Sequence, residues 1–320
     1  MVDEEKPSFP RLLWLIFCSV CCAFRGRILG QARKSIADDV VLITGGGRGI
    51  GRKIALEIAK YQPKQVILWA RSLESLEVTA SEVTALGVPC DFMICDVSDC
   101  EQVYQRARET QEKYGPVTIL VNNAGIVKGG HVLEAQFEDI KKTVQVNTLG
   151  NCWTMKAFLP AMISTNHGHV VNINSCLGFS TIPRGGDYSA SKHATLGMME
   201  ALREELHEKG VAGVHVTTIH PYMVKNRMFE GCETRFPNLF PPLEEDHVAM
   251  ETVDAILKNK GMIILPLLQY LTWVARSVLP VETMLHALKF LGVDVVLTKI
   301  PPPRQPVPPR QAQLTKQDPK

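Results

Sequence analysis

The sequence is short of three things that would point to common function classes. Clustered positive charge is missing. In 320 residues, 35 Lys and Arg stand against 33 Asp and Glu, a formal net charge of +2 with no basic stripe of the kind that tracks a nucleic-acid backbone. Paired cysteine motifs are missing. The nine cysteines are irregularly spaced and too few for a disulfide scaffold, and no C-x-x-C pairs with a second one or with two histidines, so no metal site is predicted. A cleavable secretory leader is missing too: Asp3, Glu4 and Glu5 stand where its basic start belongs, and no A-x-A site follows. What remains, 45% apolar, is enough core for one large α/β domain or two small ones. From residue 37 onward it reads as a reduced, cytosol-facing globule.

Three regions separate by composition. Leu12 to Phe24 is thirteen residues without a charge, which as a helix reaches roughly 20 Å against the roughly 30 Å of a bilayer core. Arg25, Arg27, Arg33 and Lys34 follow with no acid among them, which keeps the rest of the chain on the cytoplasmic side. Residues 1–36 are therefore expected to be a monotopic or half-inserted membrane anchor with a basic flank, a core helix being the alternative. Cys18, Cys21 and Cys22 are candidates for palmitoylation or equally for buried free thiols. At the other end, seven of residues 301–320 are proline and none is aromatic, so this tail is expected to be disordered. Between them, residues 37–300 alternate short β-branched apolar runs with helix-length stretches. The strand candidates are 40–43, 65–70, 91–95, 118–121, 169–174 and 214–219, and the helix candidates include 49–60 and 189–209. That alternation predicts an α/β fold, a doubly wound parallel sheet with helices on both faces.

The first strand runs into Thr44-Gly45-Gly46-Gly47-Arg48-Gly49-Ile50-Gly51 and then a helical pattern. Glycines at 45, 49 and 51 permit a tight turn that brings backbone N–H groups to a pyrophosphate at a helix N-terminus. The spacing matches the general dinucleotide pattern only loosely, but strand, helix and second strand follow in the right order. The second strand ends at Arg71, where an NAD-binding site usually carries Asp or Glu for the ribose hydroxyl. Arg71 and Arg48 suit a 2′-phosphate, which predicts NADP(H) as cofactor.

Tyr188 and Lys192 lie four apart, on one face of a helix, with Ser175 thirteen residues upstream at the end of a strand. A phenol near its ordinary pKa exchanges protons poorly at neutral pH, and a neighbouring lysine cation favours the phenolate. Ser175 is placed to hold a carbonyl oxygen, Tyr188 to protonate it, and Asn147 to position a water relaying protons through Lys192. Asn122-Asn123-Ala124-Gly125 follows the fourth strand, and Asn147 falls in the next helical stretch. These four strings, in this order over residues 37–266, resemble the short-chain dehydrogenase/reductases. The leader, Leu149 to Met162 and Met228 to Leu243 are similar to the family's membrane-associated retinol/retinal and 17β-hydroxysteroid dehydrogenase branch. The resemblance implies a Rossmann-type sheet of about seven strands. It also implies cofactor contacts from Asp96, Val97, Asn123, Ala124, Gly125, Tyr188, Lys192 and Val224. The sequence departs from that family after the sixth strand. There Pro221-Tyr222-Met223-Val224-Lys225-Asn226 replaces Pro-Gly and a threonine, leaving backbone contact from Val224 and a hydrogen bond from Asn226 as the expected substitutes.

Residues 222–243 form the expected substrate lid. With Tyr222, Met223, Met228, Phe229, Phe236, Leu239 and Phe240 it is mostly apolar, and only Arg227 and Arg235 are placed to pair with a charged ligand. Ser175, Tyr222 and Phe229 are the expected substrate contacts. The stretch from Met262 to Val281 carries one charge, Arg276, and reads as a second membrane-contacting helix, a dimer face or a buried C-terminal helix. The resemblance implies NADPH-dependent reduction of all-trans-retinal at the cytosolic face of the endoplasmic reticulum or a lipid droplet. Membrane lipid and related dehydrogenases, as homo- or hetero-oligomers, are the expected partners, and nucleic acid is not one. A 17-hydroxy/keto steroid or other lipid is the alternative substrate. A non-catalytic organelle-surface scaffold is the alternative class, opposed by the presence of all four catalytic residues.

Overall fold

The computed structural model describes residues 31–292 apart from 230, 231, 233, 234 and 239. The apolar run 12–24 with its three cysteines, Arg25 and Arg27, Leu239 of the lid and the 301–320 tail lie outside the described residues.

Seven strands make one sheet: β1 (Val40–Thr44), β2 (Gln65–Ala70), β3 (Cys90–Ile94), β4 (Ile119–Asn122), β5 (Gly168–Ile173), β6 (Val214–Pro221) and β7 (Met262–Leu265). All neighbours are parallel and the order is β3-β2-β1-β4-β5-β6-β7. This is a Rossmann-type sheet. Its chain order reverses between β1 and β4, and the crevice beyond the C-terminal ends of those strands is where an open α/β sheet takes a ligand.

The helices are α1 (Gly49–Ala59), α2 (Leu73–Ala85), α3 (Cys100–Tyr114), α4 (Phe137–Val144), α5 (Gly150–Ser164), α6 (Gly186–Glu208), α7 (Glu245–Leu257), α8 (Gln269–Val278) and α9 (Val281–Phe290). Local signals set several ends. The Asp99 side chain accepts from the Gln102 N–H at the start of α3, and Gly115, at φ 82°, ends that helix. Helices cover both faces, so alternate residues of one strand enter different cores. Val41 and Ile43 pack with Ile54 and Ile58 of α1 and Val253 and Ile256 of α7. Leu42 packs with Val103 of α3, Phe158 and Met162 of α5 and Met199 of α6. Burial on both sides explains why the strands read as unbroken apolar runs.

Two expectations change. The stretch 262–281 is not one helix: its first four residues extend the sheet as β7, pairing with Thr218 to Pro221, and α8 begins only at Gln269. Among the described residues no helix is long and apolar enough to cross a membrane. Asn147, expected in an ordinary helix, sits instead in a π-helical turn, Gln145–Leu149, between α4 and α5.

Candidate active site

The glycine-rich loop after β1 is folded against the loop after β4. Thr44 Oγ1 accepts from the backbone N–H of Asn123 at 3.0 Å and of Ala124 at 3.1 Å, while Asn123 Nδ2 donates to the carbonyls of Thr44 at 3.0 Å and Gly45 at 3.2 Å. Gly45 has φ +66°, and a Cβ on Gly51 would overlap the Gly45 carbonyl oxygen. Both positions need glycine, the first for its left-handed backbone and the second for space. No side chain caps α1, whose first turn also carries no acid. Its backbone N–H groups at Gly49, Ile50 and Gly51 therefore face the crevice as an anion cradle. A dinucleotide pyrophosphate fits this donor set.

Arg48, at the cap of α1, is exposed, and Arg71 follows β2 with 59% of its side chain in solvent. Arg71 approaches the Asp96 carboxylate only to 3.9 Å. Asp96 is bound more closely, accepting from the Ser98 backbone N–H at 3.0 Å and hydroxyl at 2.7 Å, with Lys142 at 3.4 Å. Burial works upward on that carboxyl, but these partners outweigh it and hold the pKa below the usual carboxylate value. Val97 is buried beside Gly150. One acid was not anticipated: Glu245, at the start of α7, would stand 3.3 Å from a Cβ on Gly49, and burial raises its pKa.

Ser175, Tyr188 and Lys192 meet where β5 ends and α6 begins. Ser175 Oγ accepts from the Leu177 N–H at 3.1 Å and is hydrogen-bonded to the Tyr188 phenol. Lys192 Nζ lies 5.6 Å from the Tyr188 ring centroid and donates to the Ile173 carbonyl at 2.8 Å. All three are buried. Burial pushes the Tyr188 phenol up to about 12, with the Ser175 bond pulling against it, and burial lowers Lys192 to about 8. Burial thus outweighs the lowering expected from Lys192, because desolvation acts on both groups and Lys192 Nζ is engaged with Ile173.

The Asn147 side chain is held by three hydrogen bonds. Its carboxamide accepts from the Ile126 N–H and donates to the Ile126 carbonyl, both at 2.9 Å, and donates to Ser191 Oγ at 3.0 Å. It clamps the loop after β4 onto α6, next to Gly125, where a Cβ would lie 3.9 Å from Lys192 Nζ. Asn226 also has local work: its Oδ1 accepts from the Met228 N–H at 3.0 Å. Val224 is buried, bridging to Leu243.

His220 was not anticipated. Its Nδ1 is 3.0 Å from the Ser175 carbonyl, so that nitrogen carries the proton, and Nε2 is buried without a partner among the described residues. Burial lowers its pKa to about 4, keeping the ring neutral. Its place follows from strand pairing, which no local sequence signal gives: Ile173 pairs with Ile219 and the next residue falls beside the Ser175 turn.

Against this cluster lies an apolar cavity. Tyr222, Met223, Phe229, Phe236 and Phe240 line it with Ser175, and none of its lining residues is charged. Phe229 meets the Tyr188 ring edge-on at 6.4 Å, and Tyr222 packs on Phe240 at 5.9 Å.

The family profile described as short chain dehydrogenase matches residues 39–235. Short-chain dehydrogenase/reductase 3 of Homo sapiens is 40% identical over 267 residues, covering 83% of this chain and 88% of that protein. Retinol dehydrogenase 10 of Rattus norvegicus is 37% identical over 288 residues, covering 82% and 84%. Among solved structures, an alcohol dehydrogenase from Thermococcus sibiricus complexed with 5-hydroxy-NADP is 30% identical, with TM-score 0.62 over 71% of this chain and 95% of that one. A short-chain dehydrogenase/reductase from Burkholderia phymatum in complex with NAD is 27% identical, with TM-score 0.68 over 79% and 96%. The profile covers more than half of the chain, and its fold and glycine-rich crevice agree with it: this chain belongs to the short-chain dehydrogenases and is an oxidoreductase.

Proposed function

We propose that this protein is an NADPH-dependent reductase of a lipophilic carbonyl, with all-trans-retinal to all-trans-retinol as the favoured reaction. The observation that carries the reading is the apolar, uncharged cavity opening directly on Ser175 beside a buried Tyr188. A retinoid substrate is supported by the relatives named retinol dehydrogenase. NADPH is supported by Arg48 and Arg71 at the two positions where a 2′-phosphate calls for cations. Gly45, Arg48, Gly49, Ile50, Gly51 and Arg71 would hold the phosphates. Asp96 and Val97 would flank the adenine, Asn123, Ala124 and Gly125 the ribose side, and Val224 the nicotinamide.

Bound NADPH would supply the hydride for the carbonyl carbon. The chain's own residues do the rest. Ser175 Oγ donates a hydrogen bond to the carbonyl oxygen, polarising it, and Tyr188 delivers the proton that turns this oxygen into the product hydroxyl. A phenol kept at about 12 is in the protonated form that this step needs. The phenolate it leaves is stabilised by Lys192 and reprotonated from solvent through Lys192 and a water positioned by Asn147. His220 fixes the Ser175 backbone, and Asn147 fixes the loop between Lys192 and the crevice. Tyr222 and Phe229 supply apolar contact.

We place the protein on the cytosolic side of an endoplasmic reticulum or lipid-droplet membrane, held by residues 12–24. Their apolarity and the cations behind them support this reading. The test is a panel of lipophilic aldehydes and ketones incubated with microsomes containing the protein and either NADPH or NADH. Retinal should be reduced in preference to 17-ketosteroids, and with NADPH. Preferential reduction of a steroid would move the substrate assignment.

A further inference from the structure

The cavity is walled on one side by α8 and α9, and those two helices present a second, outward surface. Gln269 and Thr272 of α8 and Leu288 of α9 line the cavity, followed by Leu291 just past α9. On the opposite side of α8, at helical spacing, Leu271, Val274 and Val278 are 65%, 54% and 71% exposed. The exposed apolar surface continues through Leu279 in the turn to Val281 and Leu285 on α9. Isolated exposed apolar residues are ordinary, but a stripe of this length is of the kind that marks a protein or membrane contact.

Three observations favour a lipid surface. The first is charge: Arg276 turns inward to the Phe179 carbonyl, and on α9 Lys289, one turn beyond Leu285, stands against one acid, Glu282. Arg235 adds a further cation, stacked on Phe236 and Phe290. An apolar stripe rimmed by net positive charge suits an anionic bilayer surface. The second is position. The helices that carry the stripe also wall the cavity, so a route from a bilayer at this face to the cavity spans about one helix diameter, roughly 10 Å. A second copy of the chain seated there would cover that route. The third is chain length. The described chain begins at the other end of the sheet, where the Lys34 backbone N–H donates to the Leu257 carbonyl and its Nζ lies 3.1 Å from His169 Nδ1. The nine peptide steps from Phe24 to Arg33 span up to about 30 Å when extended. That is longer than the six residues of β5, about 20 Å at strand rise, so an anchor at 12–24 and the α8 stripe can rest on one membrane.

We propose that the outward face of α8, continued by Leu279 to Leu285, docks on the surface of a phospholipid bilayer, and that lipophilic substrate enters the cavity from that bilayer. The entry route rests on the reading of the cavity as the site of a lipophilic substrate; the docking does not.

The test uses the full chain with a fluorescent, environment-sensitive amino acid at position 274, mixed with vesicles of phosphatidylcholine and phosphatidylserine. Its emission should shift to shorter wavelength on adding vesicles and be quenched by lipids brominated in the acyl chain. Emission unchanged by vesicles would overturn docking: a probe still in water means no contact, and one already in an apolar setting means a second copy or another part of this chain covers the face. In a second arm, Leu271→Asp, Val274→Asp and Val278→Asp are combined. All three side chains are exposed, so folding and NADPH binding should persist. The KM for retinal dissolved in the vesicles should rise by about tenfold or more, while turnover of a small water-soluble aldehyde stays the same. An unchanged KM would overturn the entry route. If no lipophilic carbonyl is turned over by the unsubstituted protein, the proposed function fails, and the emission shift still decides the docking.

Discussion

Arg71 stands in solvent at the end of β2, and its 3.9 Å approach to Asp96 is too long for a hydrogen-bonded pair. Such a guanidinium can turn to another anion at little cost, as selectivity for a 2′-phosphate requires. Arg71→Asp should move the ratio of kcat/KM for NADPH over NADH by about 10- to 100-fold towards NADH, the loss of a charge-assisted contact worth roughly 1.5–3 kcal/mol. Equal use of both nucleotides by the unsubstituted protein would contradict the assignment. Lys192 offers a different test, on the protein without cofactor. Its folded pKa is near 8 against 10.5 for an ordinary lysine, so between those values the unfolded chain binds the proton that the folded one has released. Stability from this residue therefore rises with pH across that window, by at most about 1.4 kcal/mol per unit. Lys192→Met removes the effect, so urea midpoints measured at pH 7.5 and 9.5 should show the unsubstituted protein gaining on the variant. A constant gap would mean that Lys192 is not desolvated. At this scale the motif residues were legible because their spacing along one chain already implies one face or one turn. His220 was not, since its contact with Ser175 depends on the pairing of two strands 45 positions apart.

Among the elements, α7 ties down the start of the described chain. Asp254 near its C-terminus accepts from Arg33, Lys258 and Lys260, each at 2.9 Å. Burial works to raise that carboxyl's pKa, but the three cations overcome it and hold it well below the ordinary carboxylate range. A depressed acid stabilises the fold above its unfolded pKa, and that stabilisation is lost as pH falls through the folded value. Asp254→Asn should therefore cost about 1 kcal/mol at neutral pH. Thermal melts should show the gap closing as pH is lowered from about 5 towards 2; a gap that persisted at acid pH would show that the charge is not what matters. Six strands were readable because β-branched runs end in turn residues. β7 was hidden, since Met262–Leu265 passes into the apolar start of α8 with no polar break, and period alone cannot divide four strand residues from a following helix. The structure also splits the reading of the stretch as one buried helix, because α8 shows its apolar side outward.

For the whole molecule, the doubly wound parallel sheet was legible from the alternation of elements, while its strand order and the crevice at the reversal depend on long-range pairing that alternation does not carry. The cavity was legible only as a composition, a lid rich in Phe and Met, because the wall that closes it comes from α8 and α9, far along the chain. If residues 12–24 hold the protein at a membrane with the basic flank inside, protease added to sealed microsomes should digest the catalytic domain, and a protected fragment of full domain size would place it in the lumen.

The central claim is that the crevice delivers a hydride and Tyr188 a proton to one carbonyl group. Its most direct test is isotopic: incubate the protein with all-trans-retinal and NADPH dideuterated at nicotinamide C4, and read the retinol by mass spectrometry. The unsubstituted protein should give retinol carrying one deuterium on its carbinol carbon, and Tyr188→Phe, though still binding NADPH, should form it about 100- to 10,000-fold more slowly. Retinol without deuterium, or undiminished formation by the variant, would contradict the account.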